Sequence, residues 1–167
     1  MMAWKQRIAV ISVLAVGLLA VSVAEADLSK AVQKKFRGKI LVTTDILPTF
    51  EESDAETIKA YNKLNQSVVK SFNQDGLATW SFHFMAFMKK KPKTTQLSLD
   101  FYTTDKEKLF VADKRLAGVD PTLTLLSSRV EINEDDGLNK GRTYTVKLTG
   151  KVGKREVTFA TTKLTMK

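Results

Sequence analysis

The residue best suited to acid–base chemistry near neutral pH is the single histidine of this sequence, His83. It lies in a segment of alternating side chains, on the face opposite Trp80 and Phe82. A hydrolytic triad needs a nucleophile and an orienting acid beside such a base, and one histidine with carboxylates is an unusual zinc site. We therefore interpret His83 as structural. A hydrolase that uses carboxylates with His83 is a remote alternative.

Carboxylates occur in two clusters that could serve acid–base chemistry or bind a cation. The first cluster consists of Asp45, Glu51, Glu52 and Asp54. It flanks the start of a predicted helix, where the helix dipole favours acidic side chains. The second cluster consists of Glu134, Asp135 and Asp136. It precedes Gly137 in a typical turn sequence, with calcium bound by loop oxygens as the alternative. We predict no catalytic, cofactor-binding or metal-binding residue.

An apolar segment that ends in a run of lysines is the most unusual local feature. Both faces of the segment from Leu77 to Met88 carry apolar side chains, which is typical of a central strand covered on both sides. The alternative is an apolar cleft or partner-facing patch with lysines at its rim. That candidate surface consists of Trp80, Phe82, Phe84, Phe87, Lys89, Lys90, Lys91 and Lys93. A solvated turn beside Pro92 is the alternative interpretation of the lysines.

Two-residue alternation of apolar side chains predicts the elements that position these residues. Seven strands are expected, over residues 38–47, 77–88, 96–102, 109–116, 123–133, 142–151 and 156–166. The capping-box pattern from Ser53 to Glu56 starts a helix over 54–65, and residues 27–37 form a lead-in of one or two helical turns. The fold class is mainly β, an antiparallel seven-stranded sandwich with one short α-helix inserted after the first strand.

The segment from Asp136 to Val146 resembles the tyrosine-corner region of immunoglobulin-like and fibronectin-type-III-like domains. In that family, a tyrosine early in the penultimate strand bonds to backbone a few residues upstream. The resemblance places Tyr144 at this structural corner and Trp80 among the core aromatic residues. It implies an immunoglobulin-like sandwich, without the family disulfide and with an extra helix. It implies a fold and no particular function.

The N-terminal residues have the pattern of a cleavable export signal. Lys5 and Arg7 precede a 16-residue apolar run, Ile8 to Val23, which ends in the small-residue triplet Ala24-Glu25-Ala26. We predict cleavage after Ala26, and an uncleaved membrane anchor is the alternative. The domain organisation is then a signal peptide over 1–26, a lead-in over 27–37 and one β-sandwich domain over 38–167, with no stable membrane span after signal removal.

Composition limits the activities of the exported chain. It has no cysteine, which excludes thiol catalysis and cysteine-ligated metals. Subtracting Lys5, Arg7 and Glu25 from the 27 basic and 18 acidic residues leaves 25 and 17, a formal charge of +8. This charge predicts attraction to anionic surfaces. Nucleic acid is not expected as a partner, because basic residues and aromatic residues are not interleaved.

These observations favour an exported, non-enzymatic binding or structural domain of the cell envelope. Its location is periplasmic or secreted, it needs no cofactor, and its partner is an unknown protein or an anionic envelope component. A carrier of a small apolar or amphiphilic ligand is the alternative. Its aromatic-lined pocket would be formed by Trp80, Phe82, Phe84 and Phe101.

Overall fold

The computed structural model describes residues 28–47 and 53–167. The helices are α1 (Lys30–Phe36) and α2 (Asp54–Leu64). The strands are β1 (Ile40–Thr43), β2 (Val68–Val69), β3 (Phe72–Gln74), β4 (Leu77–Phe87), β5 (Leu97–Thr103), β6 (Phe110–Leu116), β7 (Leu125–Asn133), β8 (Thr143–Val152) and β9 (Arg155–Met166). A 3₁₀ turn, Glu134–Asp136, follows β7.

The strands form two sheets that pack face to face. In the four-stranded sheet, β4 pairs with β7 along one edge and with β1 and β3 along the other, always antiparallel. The five-stranded sheet has the order β2-β9-β8-β5-β6, and β2 runs parallel to β9. The two sheets approach each other at β9, where the Thr161 N–H donates to Gly38 O at 3.0 Å and the Lys89 N–H donates to Phe159 O at 3.1 Å.

Strand β4 is buried on both faces. Trp80, Phe82 and Phe84 point into the main core between the two sheets. Met85 and Phe87 point the other way, into a second core under the helices. The helices supply Val32, Phe36 and Tyr61 to this second core, together with Leu28 just before α1. Within the described part of the chain, the residues of the two cores extend from Leu28 to Met166.

Local sequence explains where the two helices begin. The Ser29 hydroxyl accepts a hydrogen bond from the Val32 N–H at 3.2 Å at the start of α1, and the Ser53 hydroxyl accepts from the Glu56 N–H at 3.3 Å at the start of α2. Each bond satisfies a backbone donor that has no partner within the helix. The predicted start of the second helix at Ser53 is thus confirmed, and the Glu56 carboxylate accepts a hydrogen bond from the Ser53 hydroxyl at 3.0 Å.

The mainly β prediction is confirmed, and its finer features need correction. All seven expected strands are present, but the described residues contain nine strands, because β2 and β3 are too short for alternation to reveal them. The lead-in contains a defined helix, α1, so the described chain has two helices. The larger sheet is mixed, since β2 is parallel to β9. The expected arrangement is therefore wrong in its number of strands and in its all-antiparallel pairing.

Tyr144 secures the turn that precedes β8. Its side chain is buried at 1% exposure, and its hydroxyl oxygen accepts a hydrogen bond from the Asn139 N–H at 2.8 Å. Its ring meets Phe101 edge-on, with 6.5 Å between ring centroids. The tyrosine therefore joins the apolar core to the backbone of the turn before its own strand.

Tyr144→Phe tests how much this hydrogen bond contributes. The change keeps the ring and leaves the Asn139 N–H without this acceptor, so we expect a loss of about 1–2 kcal/mol in the free energy of unfolding. Urea unfolding of the two proteins measures the loss. Tyr102→Phe is the control, because Tyr102 is half-buried on the outer side of the sheet. Equal stability of wild type and Tyr144→Phe would contradict this role.

Candidate functional site

Helix α1 forms one wall of a groove lined with cations. Lys30, Lys34 and Arg37 follow each other at steps of four and three residues, so they share one face of the helix and its end. Val32 and Phe36 share another face and are each 1% exposed. Burial of these two apolar side chains against the four-stranded sheet holds the cations at a defined place.

Lys89 forms the opposite wall and is fixed to the end of α1. The Arg37 guanidinium donates to the Lys89 carbonyl oxygen from Nε at 3.2 Å and from Nη2 at 2.9 Å. Gly38 has a φ of 78°, a conformation that favours glycine. A Cβ at Gly38 would lie 2.6 Å from Lys89 Cε, so the lysine side chain crosses directly over this glycine.

We call this concavity the basic groove. It has a volume of about 270 Å³. Its lining residues are Lys30, Gln33, Lys34, Arg37, Phe87, Met88, Lys89, Thr124 and Leu125. None of these described residues is acidic, and the apolar ones come from the end of β4 and the start of β7. The groove therefore combines four cations with an apolar floor.

The surrounding surface, here called the basic end, extends this positive charge. It comprises the cations of residues 30–39 and 89–93, namely Lys30, Lys34, Lys35, Arg37, Lys39, Lys89, Lys90, Lys91 and Lys93. Neither stretch contains an acid. From residue 27 onward, the rest of the chain has 16 basic and 17 acidic residues, a charge of −1. The net positive charge predicted from the composition is thus concentrated in these two stretches.

The cations of the basic end have no salt-bridge partner among the described residues. The described residues form two ion pairs, Lys114–Asp136 and Arg129–Glu131, each at 4.0 Å. Both pairs lie outside the basic end. Among the described acids, Asp120 is influenced by the charge of the basic end. Its pKa is lowered mainly by hydrogen bonds from Thr122 and also by the charge of Lys91. Most of this positive charge is therefore available to a ligand.

The aromatic part of the predicted ligand surface is core instead. Trp80, Phe82, Phe84 and Phe101 are each at most 1% exposed and pack between the two sheets. They bury apolar area of both sheets in this core, which stabilises the fold. They do not line the basic groove. Of the predicted aromatic surface, only Phe87 lies at this groove, as part of its floor.

His83 lies on the helix-side face of β4 and is half-buried. It pairs with Thr43 on β1 and with Arg129 on β7 across the sheet. Partial burial, and then the charge of Arg129, lower its pKa below the usual value of 6.5. The Arg129 Nε donates to the Ser81 hydroxyl at 3.0 Å. The histidine is therefore beside a cation, and no carboxylate within 28–47 and 53–167 is hydrogen-bonded to it.

The acidic residues after β7 have structural partners. Asn133 and Asp136 exchange hydrogen bonds between side chain and backbone at 3.0 and 3.2 Å. A Glu134 carboxylate oxygen accepts from the Ala78 N–H at 3.2 Å. In the first cluster, Asp54 lies in the first turn of α2, while Glu51 and Glu52 lie outside the described residues. Across 28–47 and 53–167, no group of three potential ligands among His, Cys, Asp and Glu could hold a metal.

The outer face of the five-stranded sheet has a second concavity, of about 560 Å³. At its floor, Asp100 is 5% exposed and Thr149 is 3% exposed. The Asp100 carboxylate accepts hydrogen bonds from Ser98 Oγ and from Thr149 Oγ1, both at 2.5 Å. Alternation over residues 96–102 predicts that Asp100 lies on the face opposite Leu99 and Phe101. It does not indicate that this outward face is concave.

Comparison with protein-family models gave no match, and neither did comparison with curated proteins or with solved structures. Within the described ranges, no helix is both long enough and apolar enough to cross a bilayer. The predicted signal, including Ala24 and Ala26, lies outside those ranges. The chemistry of the basic groove is therefore the main guide to function.

Thr149→Val tests the buried polar floor at Asp100. Valine keeps the shape of threonine and removes one hydroxyl donor from a buried carboxylate, so we expect a loss of about 1–3 kcal/mol in the free energy of unfolding. Thr145→Val on the same strand is the control, because Thr145 is more exposed. Denaturant unfolding of the three proteins measures both effects. An equal loss in the two variants would show that the Asp100 bond is not the cause.

His83→Gln tests the pH dependence that follows from the lowered pKa of His83. In the folded and in the unfolded chain alike, His83 is neutral when the pH lies above the pKa that the histidine has in that state. As the pH falls through the unfolded value of about 6.5, the unfolded chain binds the proton first, and folding loses stability. Wild type should therefore lose more stability than His83→Gln between about pH 7.5 and pH 5. Parallel stability–pH curves would refute this.

Proposed function

We propose that this chain is an exported, non-enzymatic binding domain of the cell envelope whose basic end binds an anionic component. The observation that carries the proposal is the concentration of nine cations in two stretches without an acid. These stretches meet at the basic groove, where α1 faces the end of β4. A surface of one charge sign attracts an oppositely charged partner and orients it on approach.

The packing of the groove walls supports selective binding of a ligand over nonspecific electrostatic binding. Phe36 packs against Phe87, with 5.2 Å between ring centroids, and against Tyr61, with 5.7 Å. The Arg37 clamp on the Lys89 carbonyl oxygen joins the two walls. Cations held at set positions lose less conformational entropy on binding than cations on mobile segments. The groove can therefore favour anions that match its spacing.

Export is part of the proposal and is supported by the N-terminal pattern. A basic start, a 16-residue apolar run and a small-residue triplet precede the first described helix. In the envelope, anionic lipids and anionic polysaccharides offer extended negative surfaces. An exported domain with a cationic end would bind such a surface without needing a cofactor or a catalytic residue.

A charge-reversal pair tests the binding role. Lys30→Glu/Lys34→Glu changes one wall of the basic groove. The control, Lys106→Glu/Lys140→Glu, changes the total charge by the same amount. These two exposed lysines lie beyond the end of β5 and before the start of β8, away from the basic end. With fluorescent dextran sulfate as probe, we expect the groove pair to weaken binding by about tenfold or more and the control pair to weaken it much less.

Fluorescence anisotropy at about 0.15 M salt measures both affinities. Urea unfolding of both variants shows that the fold is intact. Equal weakening by the two pairs would mean that net charge alone binds the probe. The absence of dextran sulfate binding by wild type at this salt concentration would overturn the proposal.

A further inference from the structure

We infer that the anionic component is the headgroup layer of a phospholipid bilayer, and that the basic end lies against it. This inference rests on the function proposed above and names its partner. Three observations point to a bilayer: the composition of the groove, the placement of the cations around it, and the length of chain between α1 and the apolar run.

The groove suits an amphiphile better than a purely hydrophilic anion. Its walls carry the Lys30, Lys34, Arg37 and Lys89 cations, while Phe87, Met88 and Leu125 form its floor. The floor side chains are 2–4% exposed, so they offer a small apolar area beside the cations. A phospholipid matches both features, because its anionic phosphate adjoins apolar glyceryl carbons, whereas a sulfated or carboxylated polysaccharide matches the cations alone.

Five further cations of the basic end do not line the groove. Lys35 and Lys39 extend the charge along and beyond α1, and Lys90, Lys91 and Lys93 extend it along the loop after β4. All five are exposed. A single soluble phosphate could contact only a few such groups. A sheet of headgroups could contact many, and each cation near an anionic leaflet raises the partition coefficient by about fivefold.

The covalent chain limits how far α1 can be from a membrane during export. Six residues, 24–29, separate the end of the apolar run at Val23 from Lys30. Val23 and Lys30 are seven residue steps apart, and at about 3.6 Å per extended residue these span roughly 25 Å at most. While the apolar run remains in the bilayer, the basic end therefore stays close to the headgroups. The same cations can keep the domain at that surface after cleavage.

The test uses the chain from Asp27 to Lys167, which contains both cores of the described structure. Co-flotation is measured with phosphatidylcholine vesicles that either contain or lack phosphatidylglycerol, at about 0.15 M salt. We expect wild type to bind only the vesicles with phosphatidylglycerol. Lys34→Glu/Lys89→Glu, one change on each wall, should lower the partition coefficient by about 25-fold or more. Lys106→Glu/Lys140→Glu should lower it by less than about fivefold.

Urea unfolding shows whether each variant is folded, and Lys30→Glu/Lys91→Glu replaces the groove pair if Lys34→Glu/Lys89→Glu does not fold. Dextran sulfate and glycerol 1-phosphate are tested in parallel. Binding of dextran sulfate without a preference for phosphatidylglycerol would overturn the lipid inference and leave the proposed function standing. Tight, saturable binding of glycerol 1-phosphate alone would also overturn the lipid inference, because the site would then serve a soluble phosphate. Failure to bind vesicles and dextran sulfate would overturn both proposals.

Discussion

Strand β4 carries large apolar side chains on both faces, and the layers of the molecule follow from the need to bury them. Trp80, Phe82 and Phe84 are covered by the five-stranded sheet. Met85 and Phe87 need a second cover, which α1 and α2 supply. Burial of one such side chain contributes about 1.5–3 kcal/mol, so a fold with either face exposed would lose much of its stability. The four-stranded sheet therefore lies between the five-stranded sheet and a pair of helices.

This packing also explains why positive charge collects at one end. Phe87 and Lys89 are two residues apart, so a helix that covers Phe87 also lies beside Lys89. Helix α1 has its own cations on the face next to its apolar stripe, and docking brings the two groups together. Like charges at close range oppose folding. The apolar contacts of Val32 and Phe36 offset this repulsion, and an anionic ligand would relieve it.

The basic groove and the concavity on the outer face of the five-stranded sheet, here called the outer cleft, differ in what they offer a ligand. The described lining of the basic groove has four cations and no acid, so its charge is available for binding. At the floor of the outer cleft, both oxygens of the Asp100 carboxylate already accept hydrogen bonds from hydroxyl groups. Burial of that carboxylate is compatible with folding because Ser98 and Thr149 stabilise it. An anion is therefore attracted to the basic groove and is not attracted to the floor of the outer cleft.

Alternation and capping are local properties, so the sequence alone determined the seven long strands, the start of α2 and the two faces of β4. The short strands β2 and β3 form only because β9 and β4 offer them partners, and two or three residues carry no periodicity of their own. Tertiary structure decided between the two interpretations of β4, a strand covered on both faces and an exposed apolar patch, and it alone brought residues 30–39 to Lys89. Spatial proximity between residues about 50 positions apart depends on packing, which local patterns do not encode.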